Sequence, residues 1–381
     1  MKVIYMSHRY HTNQTTIMKG WAENGHEVRF LSQYAGRIED YTYVKPIVVG
    51  YSKFFQLIDY IYIHFLKRKD PAAIDMKLKC GIPPIFKLAK YIKEFEPDIA
   101  IIRERSVYTI CMNAICKHYK IPTILYNLSP VWDKPKKMDL AHKLVWKLTP
   151  EYRITPTNIV GIDYTGLEKD EKAYWAPFLM EPQVSPEEKT YFANDRINVF
   201  CIGKYQTRKN HQMMVEVVEE LLSKYNLHLT IAGEISNHFH QEYYDNLVKY
   251  IKEHNLEDKV TLLINLSRQA VFEEYRKADV YVVPSTAEPA SITVIEAMAF
   301  SVPAISGSDN GTASYIAYGK TGYVFEDNNK QDLRDKLEKI VESREGLVEM
   351  GKAAYRHVEE NFQFKNYLEP VSEIMEKQKR K

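Results

Sequence analysis

Cysteine is scarce in this sequence: there are four, Cys80, Cys111, Cys116 and Cys201, and no C-x-x-C pair among them. That spacing offers no disulfide framework, fits a reducing compartment, and leaves the four as small core side chains. Long apolar runs are missing as well. None reaches the ~18 residues a membrane-spanning helix needs. The opening MKVIYMSHRY is interrupted by polar residues too early to serve as a secretory leader. No short-period repeat occurs, no nucleic-acid-binding motif accompanies the basic residues, and the basic end KQKRK is the one biased tract.

What is present is a long chain with ample material for a core. Its 381 residues are 45% apolar, which exceeds one typical domain and suggests two. The net charge of +2 conceals an asymmetry. Residues 1–178 hold 27 Lys and Arg against 18 Asp and Glu, whereas residues 179–381 hold 25 against 32. The first half is therefore expected to attract anions.

Short β-branched runs alternate with helical patterns along the whole chain. The first half has Val3–Met6, Val28–Leu31, Ile99–Ile102, Thr123–Tyr126 and Tyr174–Phe178; the second has Val199–Ile202, Leu229–Ala232, Val260–Ile264, Val280–Val283, Ala304–Ser306 and Tyr323–Phe325. Between them, Met214, Val217, Val218 and Leu221 keep a helical rhythm. Such alternation predicts α/β architecture, with parallel sheets covered on both faces and two doubly wound domains. The stretch APFLMEPQVSPEEKT has three prolines and no apolar period, so it reads as a linker. The expected division is 1–178, a linker over 179–196, a second domain over 197–360, and a C-terminal helix or basic tail over 361–381 that crosses back to the first domain.

Open parallel sheets bind ligands beyond the carboxyl ends of their strands. After Val199–Ile202 comes GKYQTRKNHQ, where Gly203 allows a tight turn and Lys204, Arg208 and Lys209 gather near a helix start. Three cations there repel one another unless an anion compensates them, and a diphosphate is the natural candidate. After Val280–Val283 comes EPASITVIEAM, with Glu288 in a loop and Glu296 in a helix expected over Ser291–Met298. An eight-residue helical step spans roughly 12 Å, which suits two ends of one polar ligand. Backbone N–H groups around Ser291, Ile292 and Thr293 could cradle phosphate, and each carboxylate could accept from a pair of sugar hydroxyls. Two acids flanking a phosphate site describe a nucleotide-sugar.

These stretches, in this order, resemble the retaining family 4 glycosyltransferases of the GT-B fold over nearly the whole chain. GKYQTRKN is similar to that family's G-R-x-x-x-x-K-G; ADVYVVPSTAEPASITVIEAMAFSVPAISGSDNGTASYI resembles its E-x7-E region; GKTGYVFED and GHEVRFL fall at matching places. The resemblance implies a GT-B fold, two Rossmann-like domains facing across a cleft. It implies a hexosyltransferase using a nucleotide-sugar, in all expectation a UDP-sugar, without a metal or other cofactor; the chain has no D-x-D. Lys204 and Lys209 then hold the diphosphate, Glu288 contacts the donor sugar and Glu296 the ribose. Glu288, Lys209 and Asn127 are the catalytic candidates, Asn127 standing where the family often has His. His8 and His11 lie in a loop that lacks the family's Gly pair. Lys204 replaces Arg, Ser291 replaces Gly, and GTASY replaces Gly-Gly-x-x-Glu.

The stretch YSKFFQLIDYIYIHFLKRKDP combines aromatic residues with Lys67, Arg68 and Lys69. It reads either as a core helix or as an interfacial anchor. With the basic first half, it leads to an expected acceptor that is a glycan, a polyol phosphate or lipid-linked, used in surface polysaccharide or glycoconjugate synthesis. The expected setting is cytoplasmic and peripheral at an anionic membrane. A sugar-nucleotide epimerase of the same architecture and a non-catalytic nucleotide-sugar binder are the alternatives.

Overall fold

In the first strand, β1 (Lys2–Ser7), alternate residues enter opposite apolar clusters: Val3 and Tyr5 one, Ile4 and Met6 the other. Both faces are therefore covered, as a parallel sheet requires. The computed structural model describes residues 1–36, 40–66, 72–135, 139–161 and 163–380. After β1 come β2 (Glu27–Ser32), β3 (Ile47–Val48), β4 (Ile99–Arg103), β5 (Thr123–Tyr126), β6 (Trp132–Asp133), β7 (Arg153–Thr155), β8 (Glu168–Lys169) and β9 (Ala173–Trp175). Seven of them form a parallel sheet in the order β3-β2-β1-β4-β5-β7-β9, while β6 and β8 make a small antiparallel ribbon. The helices α1 (Thr15–Glu23), α2 (Lys53–Ile61), α3 (Ala72–Cys80), α4 (Ile85–Phe95), α5 (Val107–His118) and α6 (Leu140–Leu148) lie between these strands in sequence.

A second sheet is built from β10 (Ile197–Ile202), β11 (Leu227–Gly233), β12 (Val260–Ile264), β13 (Val280–Val283), β14 (Ala304–Gly307) and β15 (Gly322–Phe325). Its order, β12-β11-β10-β13-β14-β15, is parallel throughout and reverses direction between β10 and β13. That reversal is the point where doubly wound sheets open a ligand crevice. Between and after these strands come α7 (His211–Leu221), α8 (His238–Glu253), α9 (Arg268–Lys277), α10 (Thr293–Ala299), α11 (Lys330–Val341), α12 (Arg344–Asn361) and α13 (Phe364–Lys379).

The chain divides into one unit of Met1–Pro156, Leu167–Leu179 and Phe364–Lys381 and a second of Thr157–Gly166 and Met180–Gln363. Of the stretch expected as a linker, 179–196, Leu179 falls in the first unit and residues 180–196 in the second. Val184 is fully buried with its N–H on the Ala299 carbonyl, and Lys189 Nζ donates to the carbonyls of Tyr275, Arg276 and Ala278 at 3.2, 2.7 and 2.6 Å. Lone anchors without periodicity leave no pattern to read. The helix α13 belongs to the first unit: Tyr367 and Tyr5 hydroxyls meet at 2.8 Å, and Trp21 Nε1 donates to Tyr5 at 2.7 Å.

Candidate functional site

The loops after β10 and β13 meet at the reversal of the second sheet. Two hydrogen bonds staple them: Thr286 N–H to the Arg208 carbonyl at 2.9 Å, and Asn210 Nδ2 to the Pro284 carbonyl at 3.1 Å. Asn210 has a left-handed backbone (φ 49°), a conformation that Asn tolerates better than most residues. The staple brings Lys209 Nζ to 2.5 Å from Glu288 Oε2 and Arg208 Nη1 to 2.9 Å from the same oxygen. Glu288 is buried, which alone raises a carboxyl pKa. Lys209 and Arg208 outweigh burial and leave it below the ordinary value.

Gly203 makes room for this pair, because a Cβ there would stand 2.9 Å from Lys209 Cδ. Gly311 supports it from the other side. Its N–H donates to the Glu288 carbonyl at 3.0 Å, and a Cβ would fall 1.9 Å from the Pro289 carbonyl oxygen. Ala287, next to Glu288, sits at φ 48° with its N–H on the Asp309 carboxylate.

The other expected residues are placed differently. Lys204 is half-exposed and pairs with Glu234 at 3.3 Å, apart from the Glu288 cluster. The three cations are therefore compensated by two carboxylates of the protein itself. The helix expected over Ser291–Met298 begins at Thr293 and ends at Ala299. Before it, Ser291 N–H donates to Thr312 Oγ1 at 3.2 Å, the Ser291 and Thr293 hydroxyls meet at 2.6 Å, and Ile292 caps the helix with αR backbone. The cradle expected at Ser291, Ile292 and Thr293 thus has its first N–H directed to a side chain. Glu296 is buried in the first turn of α10, where Tyr275 Oη donates to Oε2 at 3.2 Å and Arg268 Nη1 stands 3.4 Å from Oε1. Burial raises the Glu296 carboxyl despite Arg268 and Tyr275.

Arg268, Tyr275, Thr312 and Asp309 were not legible from motifs. Asp309 is pushed up to about 6, first by burial and also by the neighbouring Asp327. The available signal was position alone: each lies within a few residues of a strand or helix end in the second sheet.

In the first unit, Asn127 follows β5, is buried, and accepts from Arg153 Nη1 at 3.3 Å. Arg153 also donates to the Ser129 and Pro130 carbonyls and pairs with Asp170 at 2.9 Å. The geometry around Asn127 is that of a loop anchor. His8 and His11 follow β1; burial and Arg103 lower both, His11 to about 3. Lys67, Arg68 and Lys69 lie outside the described residues. No helix among the described residues is long and apolar enough to cross a membrane.

The stretch holding the Lys209–Glu288 junction is also what known proteins share. Residues 186–357 match the model for glycosyl transferases group 1. Over those residues, a little under half of the chain, it is similar to the group 1 glycosyltransferases. Among relatives, it is 30% identical over 155 residues to a D-inositol 3-phosphate glycosyltransferase of Pseudarthrobacter chlorophenolicus, covering 40% of this chain and 36% of that one. It is 29% identical over 138 residues to the mannosylfructose-phosphate synthase of Agrobacterium fabrum, covering 35% and 30%. The matches span about a third of each of these relatives. Anabaena HepE, solved in complex with UDP, superposes with a TM-score of 0.69 at 12% identity, over 99% of this chain and 100% of that one. At that identity the likeness shows the fold, which is GT-B.

Proposed function

We propose that this chain is a group 1 glycosyltransferase that transfers a hexose from a nucleoside diphosphate sugar, a UDP-sugar in the first instance, with retained anomeric configuration. The observation that carries the reading is the Lys209–Glu288–Arg208 cluster at the reversal of the second sheet. A diphosphate arriving there competes with Glu288 for two cations, and their charge opposes that developing on the leaving diphosphate. Glu288, released from them, is available to donor sugar hydroxyls. Glu296, oriented by Tyr275 and Arg268, is the proposed acceptor for ribose hydroxyls. HepE, the structural neighbour bound to UDP, supports the choice of nucleotide.

The proposed acceptor is a glycan, polyol phosphate or lipid-linked glycan in surface polysaccharide or glycoconjugate synthesis. The α2 helix favours work at a membrane surface. Phe55 and Asp59 are its buried side chains, while Phe54, Leu57, Tyr60 and Ile61 stand in solvent. An apolar face unpartnered by protein, on the basic half of the chain, suits an anionic lipid interface.

Thermal-shift measurements with UDP-, GDP- and ADP-sugars test the donor reading, since ligand at 100 times Kd adds about 2.7 kcal/mol of stability. Donor hydrolysis to free sugar and UDP, with EDTA present, supports a metal-independent transferase. Binding without hydrolysis or transfer points to a non-catalytic binder, and conversion to an epimeric donor to an epimerase. No shift with any donor overturns the reading.

A further inference from the structure

The first unit contains a cavity of about 620 Å³ bounded by α5, α6 and the end of α13. Its wall is unusually one-signed. Arg105, Lys117, Lys120, Lys147 and Lys172 line it, against the single carboxylate of Glu151. Glu151 and Lys172 pair at 3.1 Å and cancel. Among the described residues, Lys117, Lys120 and Lys147 make no ion pair, so four positive charges face one hollow.

Two further features mark its wall. Arg105 stands over Trp146, its guanidinium carbon 4.0 Å from the ring centre, and its enclosed Nε has no hydrogen-bond partner. Glu104 and Asp170 are the acids that act on it from outside the cavity. Gln378, from α13, donates Nε2 to the Thr123 carbonyl at 2.9 Å, which fixes its amide. The amide oxygen, also enclosed, is left without a donor. The cavity thus lacks anions for its cations.

We propose that this cavity binds a phosphate-bearing polyol or glycan chain. Lysine ammoniums are compact point charges suited to phosphate oxygens approaching from several directions, and the arginine fork also pairs with phosphate. Three lysines and one arginine without an acid on the cavity wall to neutralise them suit a ligand of repeated phosphate charge. Arg105 and Trp146 also line a neighbouring cavity of about 680 Å³, so an extended chain has room to continue past them. The inference goes beyond the donor reading and names the acceptor's chemistry; binding here is measured with no donor present.

The test is titration calorimetry on the full chain with a glycerol-phosphate oligomer, inorganic polyphosphate and a neutral dextrin, alongside sedimentation with phosphatidylglycerol vesicles. The triple variant K117Q/K120N/K147Q is expected to weaken oligomer binding by about tenfold or more, as removal of three cations near an anionic ligand implies. K117R/K120R/K147R is expected to retain it. A loss confined to the soluble oligomer identifies a free chain, and a loss confined to vesicles a lipid headgroup. Binding of the oligomer and of the vesicles by K117Q/K120N/K147Q equal to the parent's, or binding of the neutral dextrin as tightly as the oligomer, overturns the proposal. UDP affinity, measured on the same variants, is expected to stay unchanged, which separates failure here from failure of the donor reading.

Discussion

Lys209 Nζ and Glu288 Oε2 lie 2.5 Å apart, one group following β10 and the other following β13, and Arg208 reaches the same oxygen. The carboxylate keeps two cations in place at a sheet reversal before any ligand arrives. It also competes with whatever anion those cations are meant to hold.

Glu288→Gln separates these roles. Freed from their counter-charge, Lys209 and Arg208 are expected to bind UDP at least as tightly as in the parent. Sugar transfer is expected to fall by on the order of a hundredfold, as for loss of a charge-stabilising group. The depressed pKa adds a stability signature. A carboxyl lowered on folding contributes stability above its unfolded value of 4.5, lost as pH falls through the folded value. The stability gap between parent and variant should therefore close in acid. A gap independent of pH, or UDP binding lost along with transfer, counts against the competition.

Lys209→Ala and Lys204→Ala should differ sharply. Lys209 is largely enclosed against Glu288, whereas Lys204 pairs with Glu234 at the surface. UDP binding is expected to lose about 1.5–3 kcal/mol on removing the first, the range for a hydrogen bond to a charged group. Removing the second should cost about 0–1 kcal/mol, as for an exposed pair. Calorimetry with UDP decides; equal losses would return Lys204 to the diphosphate.

Gly311 is the backbone support of the Glu288 loop. A methyl group there meets the Pro289 carbonyl oxygen at 1.9 Å, and backbone cannot yield as a flexible side chain does. Gly311→Ala is expected to destabilise the chain by about 1–3 kcal/mol, the usual cost of forced overpacking. Transfer should fall further than the unfolded fraction explains, because the loop that carries Glu288 must move. Denaturant melts and initial rates measure the two effects, and a variant with parental stability refutes the support.

The strands were legible wherever β-branched runs are long. Val3–Met6, Val199–Ile202 and Val280–Val283 all fall within strands, because burial on both faces demands continuous apolar residues. Two-residue β3 and three-residue β7 carry too few side chains for any period to emerge. The run Tyr174–Phe178 is pre-empted by β9, which ends at Trp175, two residues before Pro177. The Lys209–Glu288 pair could be suspected because each follows a strand, but Arg268 and Tyr275 could not. They reach Glu296 from α9, across a distance in sequence that no local pattern encodes. The same limit applied to Lys204, whose partner Glu234 lies at the end of the neighbouring strand β11.

Asp309 gives the Glu288 loop a pH dependence. Its carboxyl, which accepts from Ala287 N–H, is raised from 3.8 to about 6 by burial and by Asp327. Between those values the folded chain holds a proton that the unfolded chain has released. Stability therefore falls as pH rises through that window and stays reduced above it. Asp309→Asn keeps an oxygen for Ala287 and removes the charge. Its thermal midpoint is expected to exceed the parent's at neutral pH, with a flatter profile between roughly pH 4 and pH 6. Scanning calorimetry across that range checks it, and parallel profiles would remove Asp309 from the account.

The helix α2 supplies the last expectation. Phe54, Leu57 and Tyr60 on α2 and Phe65 just beyond it are 66, 59, 55 and 73% exposed, although its sequence is apolar enough for a core. Each large apolar side chain gains about 1.5–3 kcal/mol on full burial, so partial insertion of several can hold a protein at a lipid interface. Lys53 opens the same helix, and the first half carries the positive excess, so anionic lipid should be preferred over neutral. Salt should loosen the association, because surface charges are screened beyond about 8–10 Å at moderate ionic strength. In co-sedimentation with phosphatidylglycerol and phosphatidylcholine vesicles, the parent is expected to pellet with the former at low salt and to release as salt rises. Phe54→Ser with Leu57→Ser and Phe65→Ser should abolish pelleting while leaving the thermal midpoint unchanged, since these side chains contribute little to the folded core. Pelleting of that triple variant equal to the parent's would show that charge alone holds the chain to lipid, and that the apolar face of α2 awaits a protein partner instead.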